Sequence, residues 1–257
     1  MKFHFPNSKI KLVTHSLQSN LSTNLKIVHI SDLHLGYYST LEYLHQLVLL
    51  INKQEADIVC FTGDCFDNIK YASFDPYLVI PLFRTIQSKY GKFFVPGNHD
   101  YGSNSIQIVL NIIKKSGFQL LLNDYYKIVT PAGNILIHGI DDICFGQPNF
   151  NSSFQLADGP IAYRIGLMHE PDKVKLLDPN IDLVLSGHTH GGQVRVPKIG
   201  ALYTPTFGKK YIQGLYHIRR QQHLFVNKGI GMTRLPIRIF CSPEIGIFNI
   251  KAKKSRT

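Results

Sequence analysis

Five clusters in this sequence bring together side chains that bind divalent cations: Asp32 with His34; Asp64 with Asp67; Asn98, His99 and Asp100; His169; and His188 with His190. Carboxylates, one amide and several imidazoles, with no thiolate among them, make a hard-to-borderline donor set suited to Mn, Fe or Zn. Residues two apart in an extended turn can point the same way, so Asp32 with His34, and His188 with His190, can each serve one pocket. A cation held there activates water, and the chemistry on offer is metal-assisted hydrolysis.

The elements that must position these residues are legible beside them. KIVHISDLHLG (Lys26 to Gly36), DIVCFTGDCFD (Asp57 to Asp67) and KFFVPGNHDYG (Lys92 to Gly102) each run from aliphatic or β-branched residues straight into a polar cluster. NILIHGIDD (Asn134 to Asp142), YRIGLMHEPD (Tyr163 to Asp172) and DLVLSGHTHGGQ (Asp182 to Gln193) repeat the pattern. Near-continuous apolar runs bounded by turn residues predict strands buried on both faces. Leu41, Leu44, Leu47, Val48 and Ile51 mark one amphipathic helical face between them, and Ile106, Val109, Leu110 and Ile113 mark another. The alternation predicts an α/β layered fold in which polar residues just past the strand ends gather at one edge of a sheet.

Past Gln193 the reading changes. HLFVNKGIG (His223 to Gly231), IRIF (Ile237 to Phe240) and EIGIFNIK (Glu244 to Lys251) are separated by Gly and Pro, not by helical spacing, and predict a second, more antiparallel sheet packed on the first. Cys144 to Pro160, rich in Asn, Ser, Gly and Pro, predicts a loop beside the site.

A length of 257 residues fits one domain spanning 1–257 with short basic tails. Hydrophobic content of 44% against 18% charged residues excludes a disordered chain. The formal charge of +11 favours anionic partners: nucleic acid, acidic phospholipid or phosphorylated small molecules. No nucleic-acid-binding module is recognisable, which disfavours the first, and no protein partner can be inferred. Part of the excess is terminal, in Lys2, Lys9 and Lys11 and in Lys251, Lys253, Lys254 and Arg256. Cys60, Cys65, Cys144 and Cys241 show no CxxC or zinc-finger spacing and point to a reducing compartment. No apolar run is long enough for a membrane anchor, so a cytoplasmic location is expected, with the inner face of the membrane as a peripheral site.

The clusters taken in order resemble the signature of the calcineurin-like metallophosphoesterases. The family pattern D-x-H, GD-x-x-D, GNH-D/E, H, GH-x-H is matched by Asp32-Leu33-His34, Gly63-Asp64-Cys65-Phe66-Asp67, Gly97-Asn98-His99-Asp100, His169 and Gly187-His188-Thr189-His190. GIDD, HEPD, GHTHGGQV, NKGIG and PIRIFCSPEI are similar to a bacterial phosphodiesterase branch. Lys228 stands where that branch usually has Arg, and the membrane anchor of many relatives is missing, which puts a carried-over membrane role in doubt.

The resemblance implies an αββα sandwich of two mixed β-sheets flanked by helices, with a binuclear centre at the strand ends. It implies one ion on Asp32, His34, Asp64 and His190, a second on Asp64, Asn98, His169 and His188, and Asp64 as the bridge. The ions implied are Mn first, with Fe and Zn as alternatives. A hydroxide bridging them would attack the phosphate ester, His99 would act as general acid or phosphate donor, and Asp67 would orient it. Asn98, His99 and Gly191 are the substrate contacts expected. Among specific activities, phosphodiester hydrolysis leads, and the UDP-2,3-diacylglucosamine pyrophosphatase of lipid A synthesis is the alternative. A non-catalytic metal-binding scaffold is the alternative of another class. Asn68 stands where protein phosphatases of the family usually place an Arg, which argues against a phosphoprotein substrate.

Overall fold

Two six-stranded mixed sheets stack face to face. The computed structural model describes residues 3–4, 8–36, 38–151, 159–219 and 221–253. Lys2, Lys254 and Arg256 of the basic tails, and 152–158 of the loop expected beside the site, lie outside the described residues.

Sheet I runs in the order β2 (Lys11–Gln18), β16 (Glu244–Lys251), β3 (Leu25–Ile30), β4 (Ile58–Thr62), β5 (Lys92–Val95), β6 (Gln119–Leu120). Strands β3 to β6 are parallel, and β16 lies antiparallel to β3 and parallel to β2. Sheet II runs β13 (Gly214–His217), β14 (His223–Val226), β10 (Leu183–Ser186), β9 (Tyr163–Leu167), β8 (Ile135–Gly139), β7 (Asp124–Ile128). Its four central strands are parallel, and both edge strands are antiparallel. Two small ribbons complete the pairing: β1 (Phe3–His4) with β15 (Arg238–Ile239), and β11 (Arg195–Val196) with β12 (Gly200–Ala201).

The period-two alternation of strand side chains explains the layers. Ile27, Ile58, Cys60, Phe93, Val95 and Phe248 point from sheet I into the core between the sheets and meet Ile137, Ile165, Leu167, Leu185 and Phe225 of sheet II. Their neighbours Val28, Val59, Phe61, Phe94, Ile245 and Ile247 point the other way, under the helices. That layer is closed by α1 (Leu41–Asn52), α2 (Val79–Arg84) and α4 (Ile106–Lys115). Helix α1 buries Leu44, Leu47, Val48 and Ile51, the face its spacing predicts, and starts on a Thr40 cap that accepts a hydrogen bond from the Tyr43 amide. Helical cover is uneven. The outer face of sheet II is closed by the 3-10 segment Pro171–Leu176 and by residues such as Leu177, Ile181 and Tyr211.

The C-terminal strands divide between the two sheets, where their spacing suggests that they share the second. His223–Val226 joins sheet II parallel to β10, and Glu244–Lys251 inserts into the middle of sheet I. An apolar strand buried on both faces reads alike in either sheet, and burial there was the stronger demand: Ile245, Ile247, Phe248 and Ile250 are all at most 5% exposed.

Candidate metal centre

The polar clusters converge because the parallel strands of both sheets end at one edge. Turns after β3, β4 and β5 deliver Asp32 and His34, Asp64, and Asn98. Turns after β9 and β10 deliver His169, then His188 and His190. Asp32 (φ 51°), His34 (φ 42°), Asp64 (φ 55°), His188 (φ 70°) and His190 (φ 50°) all occupy the left-handed region. Residues with a Cβ enter that region at a cost of about 1–3 kcal/mol each, and such strain concentrates where function requires it. Asp100, on the short helix α3 (Asn98–Tyr101), braces the turns: its carboxylate accepts from the amides of Asp64, Cys65 and Gly97, each at 2.9 Å. Glycine is required at Gly97, where a Cβ would stand 2.4 Å from Asp64 Oδ1 and 2.7 Å from His169 Cε1.

Ring-nitrogen partners show which atoms face inward. His34 Nδ1 donates to Asp67 Oδ1 (3.0 Å), and His169 Nδ1 donates to the Thr62 carbonyl (2.6 Å). His188 Nε2 donates to the Thr206 carbonyl (2.7 Å). Each outward hydrogen bond fixes the tautomer and leaves the other nitrogen's lone pair for the interior. His34 Nε2 lies 3.4 Å, and His169 Nε2 3.1 Å, from Asp64 Oδ2. His188 Nδ1 faces Asn98 Oδ1 at 2.9 Å. Asp64 Oδ1 is occupied by the His99 amide (2.8 Å), so Oδ2 is the oxygen turned to the two imidazoles.

Acceptors thus face acceptors in a buried pocket, and His169 Nε2 is a buried nitrogen with no hydrogen-bond partner. Buried polar atoms are almost always satisfied, so this arrangement fits a cation that the lone pairs would share. Ligand atoms of Asp32, His34, Asp64 and His190 lie within 4.8 Å of one another. The electrostatics agree. Burial opposes charge on His34, but the adjacent Asp64 and Asp67 carboxylates prevail and push its pKa up to about 10. Burial likewise opposes charge on His169, and the Asp64 carboxylate overrides it and holds the ring well above the usual range. The carboxylates in this pocket call for positive charge.

His190 departs from the pattern. Its Nδ1 meets Arg238 Nη2 at 3.2 Å, and a guanidinium only donates. Arg238 is fully buried and has carbonyl partners at Lys228 (2.8 Å) and Gly231 (3.0 Å), with no carboxylate among its described contacts.

The calcineurin-like phosphoesterase profile matches residues 25–192, which carry all of these motifs. The chain belongs to the calcineurin-like phosphoesterases. It is 37% identical to the uncharacterized metallophosphoesterase YkuE of Bacillus subtilis, over 95% of this chain and 86% of that protein. It is 29% identical to the phosphodiesterase YaeI of Escherichia coli, over 93% of this chain and 88% of that protein. In fold it is similar to the NAD nucleotidase NadN of Haemophilus influenzae, with a TM-score of 0.53 at 15% identity, covering 79% of this chain and 44% of that one. The phosphoesterase is a hydrolase of phosphoric esters and carries a buried His and Asp cluster for divalent metal.

Over the centre of this phosphoesterase opens a cavity of about 420 Å³. Asp64, Asn98, His99, His188 and His190 line its polar side, and Val194, Leu202, Tyr203, Pro205 and Leu235 line an apolar wall. His99 Nδ1 is held by the Asp67 carbonyl at 2.8 Å, with the Asp67 carboxylate 3.3 Å away, which leaves Nε2 for the cavity. The carboxylate of Asp67 sits closer to His34 (3.0 Å) and accepts from Thr233 Oγ1 (3.1 Å), so one residue contacts both imidazoles. Gly192 lines the cavity; Gly191 is buried behind it, against Lys228, Cys241 and Gln213. Arg238, and the carbonyls of Thr62 and Thr206, were not singled out by sequence reasoning. Arg238 stands in the PIRIF segment already noted, whereas a carbonyl leaves no trace in residue identity.

No helix among the described residues is long and apolar enough to cross a membrane.

Proposed function

We propose that this phosphoesterase is a binuclear phosphodiesterase, with Asp32, His34, Asp64 and His190 as ligands of one ion and Asp64, Asn98, His169 and His188 as ligands of the other. The observation that carries the reading is Asp64 Oδ2, which faces His34 Nε2 at 3.4 Å and His169 Nε2 at 3.1 Å. One carboxylate therefore serves both halves of the ligand set, as a bridging ligand must. A pair of divalent ions there, Mn first with Fe and Zn as alternatives, supplies water activation and neutralises phosphoryl charge when bound. The chain's own residues do the rest. His99 offers Nε2 to the phosphoryl or leaving-group oxygen, and Asp67 fixes the ring through Nδ1. The Asn98 amide and His99 orient the ester, and Gly191 supports the wall beside them. That residues of both sheets complete one centre supports reading 1–257 as one domain.

Diester preference is supported by the E. coli relative named a phosphodiesterase. The apolar wall of Val194, Leu202, Tyr203 and Leu235 favours a second, narrower reading, hydrolysis of the pyrophosphate of a diacylated nucleotide sugar such as UDP-2,3-diacylglucosamine. Mn-loaded protein is expected to hydrolyse a bis-aryl phosphodiester faster than the matching monoester. The reverse order contradicts diester preference, and bound metal without turnover of either supports the scaffold instead.

A further inference from the structure

Between Asp182 and Glu244 the sequence contains no Asp or Glu and holds nine Lys or Arg, most of the +11 balance. The termini were the obvious basic clusters, yet three of these nine, Arg195, Lys198 and Arg234, stand on the cavity's outer rim, while Arg238 is buried and Lys228 pairs with Glu244. Its apolar side chains are just as uneven in placement. Ile199 is 75% exposed, Leu202 61%, Tyr203 56%, Leu235 56% and Phe240 38%. Single exposed apolar residues are normal, whereas a contiguous group marks a contact surface.

These residues are contiguous. Ile199 stands at the tip of the β11–β12 ribbon, where its amide donates to the Val196 carbonyl at 3.1 Å. The Leu202 amide closes the ribbon's base on the Val194 carbonyl (3.1 Å), and the Ile239 amide ties the Phe240 segment to the Gln193 carbonyl (3.0 Å). Arg234 lies over the Tyr203 ring at 4.9 Å, joining the Leu235 segment to the same rim. Lys198 is exposed beside Ile199 at the tip.

We infer that this rim is a membrane-docking surface that seats the β11–β12 ribbon in the interface of a bilayer containing anionic lipid. Apolar tips with Arg195, Lys198 and Arg234 beside them match acyl chains below a layer of negative headgroups. Nucleic acid would use the same charge and could stack on Tyr203 or Phe240, but the aliphatic tips Ile199, Leu202 and Leu235 offer nothing for a base to stack on and favour acyl chains. The mouth of the metal centre would then open onto the bilayer surface. The surface stands independently of the diesterase reading, because it rests on the rim and on none of the ligands.

The chain contains no Trp, so one introduced Trp reports its own surroundings. Ile199→Trp is expected to shift its emission to the blue with vesicles of phosphatidylcholine and phosphatidylglycerol, and to shift back at high salt. Val129→Trp, at a 75% exposed site beyond the end of β7, is expected to show no shift. Lys198→Glu should weaken vesicle binding by at least about fivefold, the equivalent of one basic residue near a charged surface, while hydrolysis of a soluble aryl diester stays unchanged. No shift at Ile199→Trp, or equal shifts at both sites, overturns the proposal. So does a shift that single-stranded DNA produces equally, or one that appears without vesicles as protein concentration rises and so reports a second copy of the chain. Loss of diester hydrolysis in the unmodified protein would count against the function and leave this test intact.

Discussion

The two sheets end at one edge but contribute unlike chemistry to it. Sheet I supplies Asp32, Asp64, Asn98 and a single imidazole, His34, from turns braced by the Asp100 carboxylate. Sheet II supplies only imidazoles, His169, His188 and His190, of which His169 and His188 are oriented by backbone carbonyls. Carboxylates thus enter from one side and only imidazoles from the other, so a cation at the edge would be held by both layers. The sandwich gains a link between its sheets exactly where the apolar core between them ends.

The comparison breaks most severely at Asp64, the carboxylate that faces an imidazole from each sheet. Asp64→Asn removes the charge both sides depend on, and kcat is expected to fall on the order of a thousandfold, as loss of a key electrostatic group does. Steady-state hydrolysis of an aryl diester with Mn in excess checks it; near-normal turnover would mean the bridging assignment is wrong. His99 stands apart from the proposed ligands of both sheets. His99→Ala should lower kcat about a hundredfold with metal content unchanged, and metal loss measured alongside would show that His99 is itself a ligand.

A smaller effect sharpens the sheet II side. Arg238 faces Nδ1 of His190, so a His190 that ligated a cation through Nε2 would release the Nε2 proton to solvent and place its ring charge against a guanidinium. Arg238→Lys is expected to weaken metal binding about tenfold, the usual cost of losing a residue that orients a ligand, with turnover restored by excess metal. Unchanged affinity by metal titration would reduce Arg238 to packing.

The smallest effect lies between the sheets, away from catalysis. His29 is fully buried against Thr62 Oγ1 (2.8 Å), and burial pulls its pKa down to about 3. The folded state keeps this ring neutral while the unfolded chain takes up a proton below its ordinary value. The stabilisation is therefore full above pH 6.5 and is lost as pH falls toward 3, at about 1.4 kcal/mol per pH unit. Between pH 6.5 and 5.5, wild type should lose about 1 kcal/mol more stability in urea unfolding than His29→Gln. Equal losses would show that His29 does not govern the acid side.

The difference between the sheets also explains what could be read without a structure. The polar clusters that the fold brings to one edge were legible, because each follows an apolar run and polar residues gather where such a run leaves the core. The α1 face was legible for the same reason of periodicity. The place of Glu244–Lys251 in sheet I was not, since apolar alternation says nothing about which sheet a strand joins. The carbonyls of Thr62 and Thr206 were invisible because any residue has one. Arg238 drew no reading of its own, since residue identity does not tell a buried guanidinium from an exposed one, and only the fold shows it buried behind His190.

Metal stoichiometry tests the central claim most directly. Protein stripped of metal, reconstituted with Mn and freed of excess should retain about two ions per chain, and their spins should couple through the shared Asp64 carboxylate. Asp64→Asn should abolish that coupling and release at least one ion. A single uncoupled ion in wild type, or a coupled pair that survives in Asp64→Asn, would contradict a binuclear centre bridged by Asp64.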